Sequence, residues 1–365
     1  MRKYEASEMS EKKSDMKKLF SPAVRSRTTT YLVVIVAFIV MSILNASGAL
    51  GRKYQSLLVP VCCYIIAALG LNLNVGISGE LNLGQAGFMS IGAFTGVVIS
   101  GILQTNGVTN VFVNLLLAIV CGTIMAGLLG WLISIPVLKL EGDYLAIVTL
   151  AFGQIIMSLI NNIYVGYDIN GLHFSFINNT VALEPGGKML ITGPIGATGV
   201  AMLANFTTGF ILIILSLIII YNLMYSRNGR AIMACRDNRI AAETIGMEVS
   251  KTKTLAFVIS AALAGAAGAL YGQNYSSFAA TKFDFNTSIL ILVYVVLGGL
   301  GNMTGTVIAT TVLVVMPEAL RFLSTYRMLI YAIVLIVMMI VTNNEKVKEF
   351  FEKHKPKKTQ EAAHE

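Results

Sequence analysis

The segment YSRNGRAIMACRDNRIAAETIGMEVSKTK, residues 225–253, lies between two long apolar runs and decides how the chain is interpreted. It carries six arginine or lysine side chains against three acids. In a chain that is otherwise poor in charge, such a segment indicates a loop outside the membrane. We call residues 225–253 the basic segment.

Composition places the whole chain in a membrane. Of its 365 residues, 55% are hydrophobic and 13% are charged, and the mean hydropathy is +0.73. Ordinary soluble domains carry about 25% charged residues. The low charge and the repeated apolar runs of spanning length predict an all-α polytopic membrane protein, since a soluble fold needs far more polar surface.

Charge asymmetry predicts the topology. Basic residues are concentrated in the tail 1–30, in the loop 226–253 and in the lysine-rich tail 344–365, so all three are expected in the cytoplasm. The loop 164–207 is poor in basic residues and is expected outside, as turns with short helices or strands. About ten helices are then needed in a permease domain at 31–343. The predicted spans are 31–50, 56–76, 84–103, 111–132, 144–163, 208–225, 255–271, two after residue 286, and 328–341.

The sequence has few of the residues that disulfide frameworks, metal sites or histidine-based catalysis require. The four cysteines form neither a disulfide framework nor a metal-binding spacing, and two of the three histidines lie in the C-terminal tail. We therefore expect no catalytic residues and no metal site. The net charge of +8 is attributed to loops and tails beside the lipid bilayer rather than to a nucleic-acid surface.

The glycine-rich run LGGLGNMTG, residues 297–305, resembles a phosphate-binding loop only superficially. A P-loop requires a lysine after its last glycine, whereas Gly305 is followed by Thr306. We expect no nucleotide or other cofactor on this chain. The break at Gly298–Gly305 is either a turn between two helices at the membrane surface or a broken helix beside a transport path.

Polar residues inside or beside apolar runs are candidates for the transport path. Asn72 and Asn74 lie within a span, where they either line a path or form hydrogen bonds between helices. Glu80 is interpreted as an acid at the cytoplasmic interface. Gly92 and Gly96 have the spacing that lets helices approach closely.

Within the basic segment, the pattern predicts one short helix. Asp237 or Asn238 is suited to the N-cap, and Gly246 to a left-handed C-cap. The small and apolar face at helical spacing consists of Ile240, Ala241, Thr244 and Ile245. On pattern alone, this is either a helix that docks on a partner or a plain connecting loop; the flanking Arg227, Arg230, Lys251 and Lys253 are interpreted as topology anchors.

The run IAAETIG, residues 240–246, matches the cytoplasmic loop signature of ABC-importer permeases, with Ile240 in place of the usual glutamate. More widely, the chain resembles the LivM-type branched-chain amino acid permeases. The resemblance is carried by ALGLNLNVGISGELNLGQAGFMSIGAF (68–94), LKLEGDYLAIVTLAFGQI (138–155), SRNGRAIMACRDNRIAAETIGMEVSKTKTLAFVISAALAGAAGALYG (226–272) and LGGLGNMTG (297–305). At position 154 the family often has an acid where this chain has Gln154.

The resemblance implies a permease subunit that imports branched-chain amino acids and catalyses no reaction. It implies a second, LivH-like permease, two ABC ATPase subunits that use ATP, and an extracytoplasmic substrate-binding protein. The residues implied to couple to the ATPase are Asp237, Ile240, Ala241, Ala242, Glu243 and Gly246. The candidates for the substrate path are Asn72, Asn74, Gln85, Gln154, Gly298 and Gly299.

Three other functions are open on the sequence. A related importer would carry urea, amides, sugars or nucleosides. A transporter driven by an ion gradient would need ionisable residues deep in the spans, where few are found. A membrane enzyme would need clustered histidines or acids at one depth.

Overall fold

The computed structural model describes residues 22–47, 51–108, 110–140, 142–168, 171–176, 187–321, 329–330, 332–336 and 340. Most of the predicted tail 1–30 and all of the tail 344–365 therefore lie outside the described residues. The chain divides into two compact units, residues 1–310 and 311–365, and the sites discussed below lie in the first.

The described residues are mainly helical, as the apolar runs predict. The helices are α1 Pro22–Ala46, α2 Arg52–Asn72, α3 Gln85–Thr105, α4 Val111–Val137, α5 Asp143–Asn161, α6 Phe206–Tyr225, α7 Arg227–Asp237, α8 Arg239–Thr244, α9 Val249–Gly272, α10 Phe285–Gly298 and α11 Met303–Ala319. Among the described residues, seven segments are long and apolar enough to span a membrane; they lie in α1 to α6 and α9, and the second continues beyond α2 to Ser78.

The predicted span boundaries agree with the helices to within several residues. Helix α1 already begins at Pro22, inside the predicted tail, and α4 continues five residues beyond the predicted end of its span. Helix α10 has 14 residues and is about 21 Å long, shorter than the roughly 30 Å hydrocarbon core of a bilayer. The last predicted span, 328–341, is only partly described.

Helix α9 forms the centre of the helical packing, against α4, α3 and α2. Small residues make this close packing possible. A Cβ atom added at Gly92 of α3 would lie 1.9 Å from the Gly265 carbonyl oxygen of α9, and one added at Gly268 would lie 1.9 Å from the Met89 oxygen. The glycines at Gly92, Gly265 and Gly268 therefore allow backbone to contact backbone.

The chain between α2 and α3 is irregular. Helix α2 continues as a π-helical segment, Leu73–Ser78, and Gly79 then takes a left-handed conformation with φ 75°. Residues 79–84 are non-helical and return along the helices, because the Gln85 Nε2 donates to the carbonyl oxygen of Ala67 at 3.1 Å, near the middle of the span formed by α2. Helix α3 thus begins within the helical bundle rather than at its edge.

The predicted external loop forms a small antiparallel sheet with one strand from outside the loop. The strands are β1 Tyr164–Asp168, β2 Gly171–Ser175, β3 Lys188–Thr192, β4 Ala197–Thr198 and β5 Ser277–Phe278. Their order in the sheet is β2-β1-β3-β4-β5, and Val165 of β1 lies opposite both Phe174 and Ile191. The sequence left short helices or strands open for this loop; the structure has strands, and their union into one sheet with β5 was not predicted.

Candidate functional site

The first half of the basic segment forms a helix, α7, that the sequence interpretation missed. Its N-cap is Ser226, whose Oγ accepts a hydrogen bond from the Gly229 backbone N–H at 3.1 Å. Only glycine fits at position 229, because an added Cβ would lie 2.0 Å from the Leu223 oxygen. Ile232 and Cys235, three residues apart, are buried and fix the inner face of α7.

The second half forms the predicted short helix, α8, with six residues between its caps. Of the two candidates for the N-cap, Asn238 takes the position, and its Oδ1 accepts from the Ala241 N–H at 3.0 Å. Gly246 has φ 85°, the left-handed conformation expected at a C-cap. The Gly246 N–H donates to the Glu243 oxygen at 3.0 Å and ends the helix.

The two faces of α8 have different environments. Ala242 is 3% exposed and packs with Cys235 and Val249, so its side chain holds α8 against α7 and α9. On the opposite side, Ile240 and Ile245 are each 75% exposed. The face predicted from helical spacing is therefore outward-facing, with two large apolar side chains in solvent.

The acids among the predicted coupling residues form local ion pairs. Glu243 accepts from Arg239 Nε at 3.0 Å, four residues earlier on α8. Asp237 accepts from both Nε and Nη2 of Arg236, at 3.0 and 2.8 Å. Both pairs are solvent-exposed and contribute at most about 1 kcal/mol each. Their contribution is to orient side chains at the surface.

Lys253, interpreted from sequence as a topology anchor, has a specific partner. Its ammonium group forms an ion pair with the Glu80 carboxylate, and the two side chains are 12% and 13% exposed. A carboxylate largely removed from water needs such a counter-charge. The pair joins the start of α9 to the segment that follows α2, so the interpretation of Lys253 as an anchor alone is incomplete.

Three of the predicted path residues meet at one turn. The N–H of Gly301, beside Gly298 and Gly299, donates to Asn72 Oδ1 at 2.8 Å. Asn72 Nδ2 in turn donates to Thr306 Oγ1 at 2.7 Å, so Asn72 forms hydrogen bonds between helices. A Cβ at Gly298 would lie 2.5 Å from the Thr306 nitrogen, which shows that α10 and α11 fold back on each other. The glycine run is a tight turn between two helices.

The other predicted path residues lie elsewhere. Asn74 is fully buried in the π-helical segment, and neither atom of its amide group has a hydrogen-bond partner. Gln85 is also fully buried; its Oε1 accepts from Asn82 Nδ2 at 3.2 Å, and its Nε2 bonds the Ala67 oxygen. Gln154 is half-buried on α5. The six residues therefore do not form one group, and their role in transport stays a prediction.

A second set of polar side chains, not predicted, supports the backbone where residues 79–84 lead into α3. The Leu83 N–H donates to Thr149 Oγ1 of α5 at 3.0 Å, and the Ala86 N–H donates to Ser288 Oγ of α10 at 3.1 Å. Within a membrane, non-helical backbone is tolerated only where protein or a cavity satisfies its polar groups. The glycine-rich sequence indicates the break, but nothing local in it indicates partners this far along the chain.

A buried thiol lies in the packed contact beneath α8. Cys235 packs against Ala242, and burial raises the pKa of its thiol above the ordinary value. Across all described residues, no group of three or more His, Cys, Asp or Glu side chains could hold a metal ion.

Comparison with known proteins gives consistent relatives over most of the chain. Residues 53–342 match the family model described as "Branched-chain amino acid transport system / permease component". The chain is 32% identical over 334 residues to the high-affinity branched-chain amino acid transport system permease protein LivM of Escherichia coli, covering 88% of this chain and 76% of that protein.

More distant relatives include a second permease and a sugar permease. The chain is 26% identical over 292 residues to LivH of Escherichia coli, which is 76% of this chain and 89% of LivH. It is 24% identical over 293 residues to the fructose import permease protein FruG of Bifidobacterium longum, 77% of this chain and 80% of that protein. No solved structure matches the chain.

The family match extends across α2 to α11 and includes both halves of the basic segment. The long apolar helices are consistent with this family match. This chain is a multi-pass plasma-membrane protein and belongs to the family of branched-chain amino acid transport system permease components.

Proposed function

We propose that this chain is a transmembrane permease subunit of an ABC importer for branched-chain amino acids. It forms part of the translocation path with a LivH-like permease and catalyses no reaction itself. Two ABC ATPase subunits supply the energy from ATP in the cytoplasm, and an extracytoplasmic binding protein delivers the substrate. The similarity to LivM over 88% of the chain is the main support for the substrate.

The exposed face of α8 supports the coupling to a partner. A helix of six residues is too short to be stable alone, and here it is held by caps and by Ala242. It nevertheless presents Ile240 and Ile245 to solvent. Such a face fits an apolar groove on an ATPase subunit. When ATP binding moves that subunit, α8 moves with the groove.

The buried polar groups favour ATP over an ion gradient as the driving force. In the spanning helices that the structure describes, the buried polar side chains belong to Asn, Gln, Ser and Thr, with no buried acid or base. A proton-coupled transporter requires an ionisable group at depth. Glu80, the nearest candidate, is already neutralised by Lys253.

The function is tested by reconstituting the chain with its presumed partners in liposomes. Leucine uptake should require ATP and the binding protein, and should persist when ionophores collapse the ion gradients. Uptake that follows the gradient and ignores ATP would overturn the proposal. The similarity to FruG supports a second candidate substrate, a sugar, which competition of leucine uptake by fructose distinguishes.

The role of α8 is tested by a matched pair of glycine substitutions. Gly246 has φ 85° with nothing within 4 Å of an added Cβ, and Gly107, at the end of α3, has φ 79° with the same open space. Alanine costs about 1–2 kcal/mol of backbone strain at either position. Gly246→Ala should reduce ATP-driven uptake and Gly107→Ala should not; equal uptake by both would contradict the docking role.

A further inference from the structure

A cluster of four residues joins the basic segment to two membrane helices. Arg236 Nη1, in the last turn of α7, donates to the carbonyl oxygen of Gly76 in the π-helical segment at 2.9 Å. Gly76 also lies against Gly301, since a Cβ at position 76 would approach the Gly301 nitrogen to 2.2 Å. Asn72 accepts from the Gly301 N–H. We call Asn72, Gly76, Arg236 and Gly301 the Gly76 cluster.

Arg236 is linked to α8 by packing and by a short connection. Only Asn238 separates α7 from α8, and Cys235, one residue before Arg236, packs against Ala242 of α8. The Nε and Nη2 of Arg236 donate to Asp237, the last residue of α7, which orients the guanidinium. The structure thus provides a short packed route between α8 and Arg236.

The other end of the contact is irregular backbone between two elements of the fold. Leu73–Ser78 is π-helical. This form is rare in proteins, and where it occurs it is often at a functional site. Asn74 and Ser78 are fully buried there, and their side-chain polar atoms have no hydrogen-bond partner. Buried polar side chains and irregular backbone thus set Leu73–Ser78 apart from the regular helices around it.

Gly79 shows how tightly the arginine is fitted. It follows the π-helical segment with φ 75°, and a Cβ added to it would lie 2.6 Å from Arg236 Cγ. The aliphatic part of the Arg236 side chain thus contacts Gly79, where the π-helical segment ends and residues 79–84 begin. A change in the position of this side chain acts on the backbone that leads back into the bundle.

We propose that Arg236 is the positioning residue that transmits movement of α8 to the π-helical segment and, through Gly76 and Asn72, to the turn between α10 and α11. The inference rests on the proposed function, because it assumes that a partner moves α8. It adds a specific residue outside the α8 face: Arg236 pulls on the Gly76 carbonyl and thereby couples nucleotide-driven movement to the irregular backbone of residues 73–84.

The test compares two arginines of the same helix in the complete importer. Arg236→Met keeps the unbranched stem against Gly79 and removes the guanidinium, and with it both the hydrogen bond to Gly76 and the exposed pair with Asp237. Arg230→Met is the control, because the hydrogen bond that Arg230 Nη1 forms within the described part of the chain is local, to the Tyr225 oxygen at 3.2 Å. The ratio of ATP hydrolysed to leucine imported should rise about tenfold for Arg236→Met, the size expected for one charge-assisted hydrogen bond. It should stay unchanged for Arg230→Met, and Arg236→Lys should restore part of the coupling.

A second readout follows the movement itself and needs no uptake. Ser78→Cys places a thiol in the π-helical segment, in a background whose four native cysteines are replaced. A non-hydrolysable ATP analogue should change the rate at which Cys-directed reagents label this thiol, and Arg236→Met should abolish the change.

The possible outcomes separate the two proposals. An equal ATP-to-leucine ratio in the two methionine variants would overturn the role of Arg236. So would a parallel loss of uptake and ATP hydrolysis together with a lowered unfolding midpoint, since that indicates a structural role alone. If the unmodified importer hydrolyses ATP but moves no leucine, the proposed substrate fails, while nucleotide-dependent labelling at position 78 still decides the role of Arg236.

Discussion

Replacing Gly92 by alanine should strongly destabilise the packing of α3 on α9. The added Cβ would lie 1.9 Å from the Gly265 carbonyl oxygen, whereas ordinary contacts begin at 3.4 Å, so the two helices must separate locally by roughly 1.5 Å. A gap of 0.5–1 Å already removes about a quarter to a half of a contact's dispersion energy. We expect a loss of about 3 kcal/mol, the upper end for an overpacked core.

The control for this substitution is Gly127→Ala on α4. There the added Cβ would lie 3.5 Å from Ala262 Cβ, an ordinary contact. The free energy of unfolding should stay the same or rise by up to about 1 kcal/mol, because alanine favours a helix over glycine. Titration of the purified protein with SDS in detergent micelles, followed by the fluorescence of Trp131, the single tryptophan, measures both values. Equal midpoints for the Gly92 and Gly127 variants would refute the steric reasoning.

Three further results are expected. Glu80→Gln and Lys253→Met, combined in a double-mutant cycle on SDS unfolding, should show a coupling energy of about 1–3 kcal/mol, because the pair is more buried than a surface salt bridge; additive effects would contradict the pairing. Asn238→Ala should destabilise α8 by about 1 kcal/mol and speed hydrogen exchange at the Ala241 amide, and unchanged exchange would disprove the cap. Because burial raises the pKa of the Cys235 thiol, its thiolate fraction at neutral pH is below that of an exposed cysteine; maleimide labelling should therefore accelerate only at higher pH, and rapid labelling at pH 7 would count against this.

The spanning helices and α8 could be predicted because their signals are local. A run of about 20 apolar residues has few alternatives in a membrane. The ends of α8 are set by the side chain of Asn238 and by the left-handed conformation of Gly246, and both act within three residues along the chain. The number of spans was harder to predict, because α10 is shorter than a bilayer crossing.

Other features depend on distant partners. Lys253 looks like any basic residue at a membrane edge until the fold brings Glu80 beside it, 173 positions away in sequence. Arg236 likewise donates a hydrogen bond to a carbonyl group 160 positions earlier, which no local pattern indicates. Helix α7 did have a local signal, a serine N-cap followed by Ile232 and Cys235 at helical spacing. The arginines between them directed the interpretation toward topology instead.

Residues 79–84 have a consequence for how the chain is made. The Leu83 N–H bonds Thr149, 66 positions later, and the Ala86 N–H bonds Ser288, 202 positions later. At a synthesis rate of about 5–20 residues per second, these partners emerge roughly 3–13 s and 10–40 s after the groups that need them. The first residues of α3 are therefore synthesised before the helices that carry their hydrogen-bond partners. Completion of its hydrogen bonds is a late event in biogenesis, and a chain truncated before α10 leaves the Ala86 N–H without its Ser288 partner.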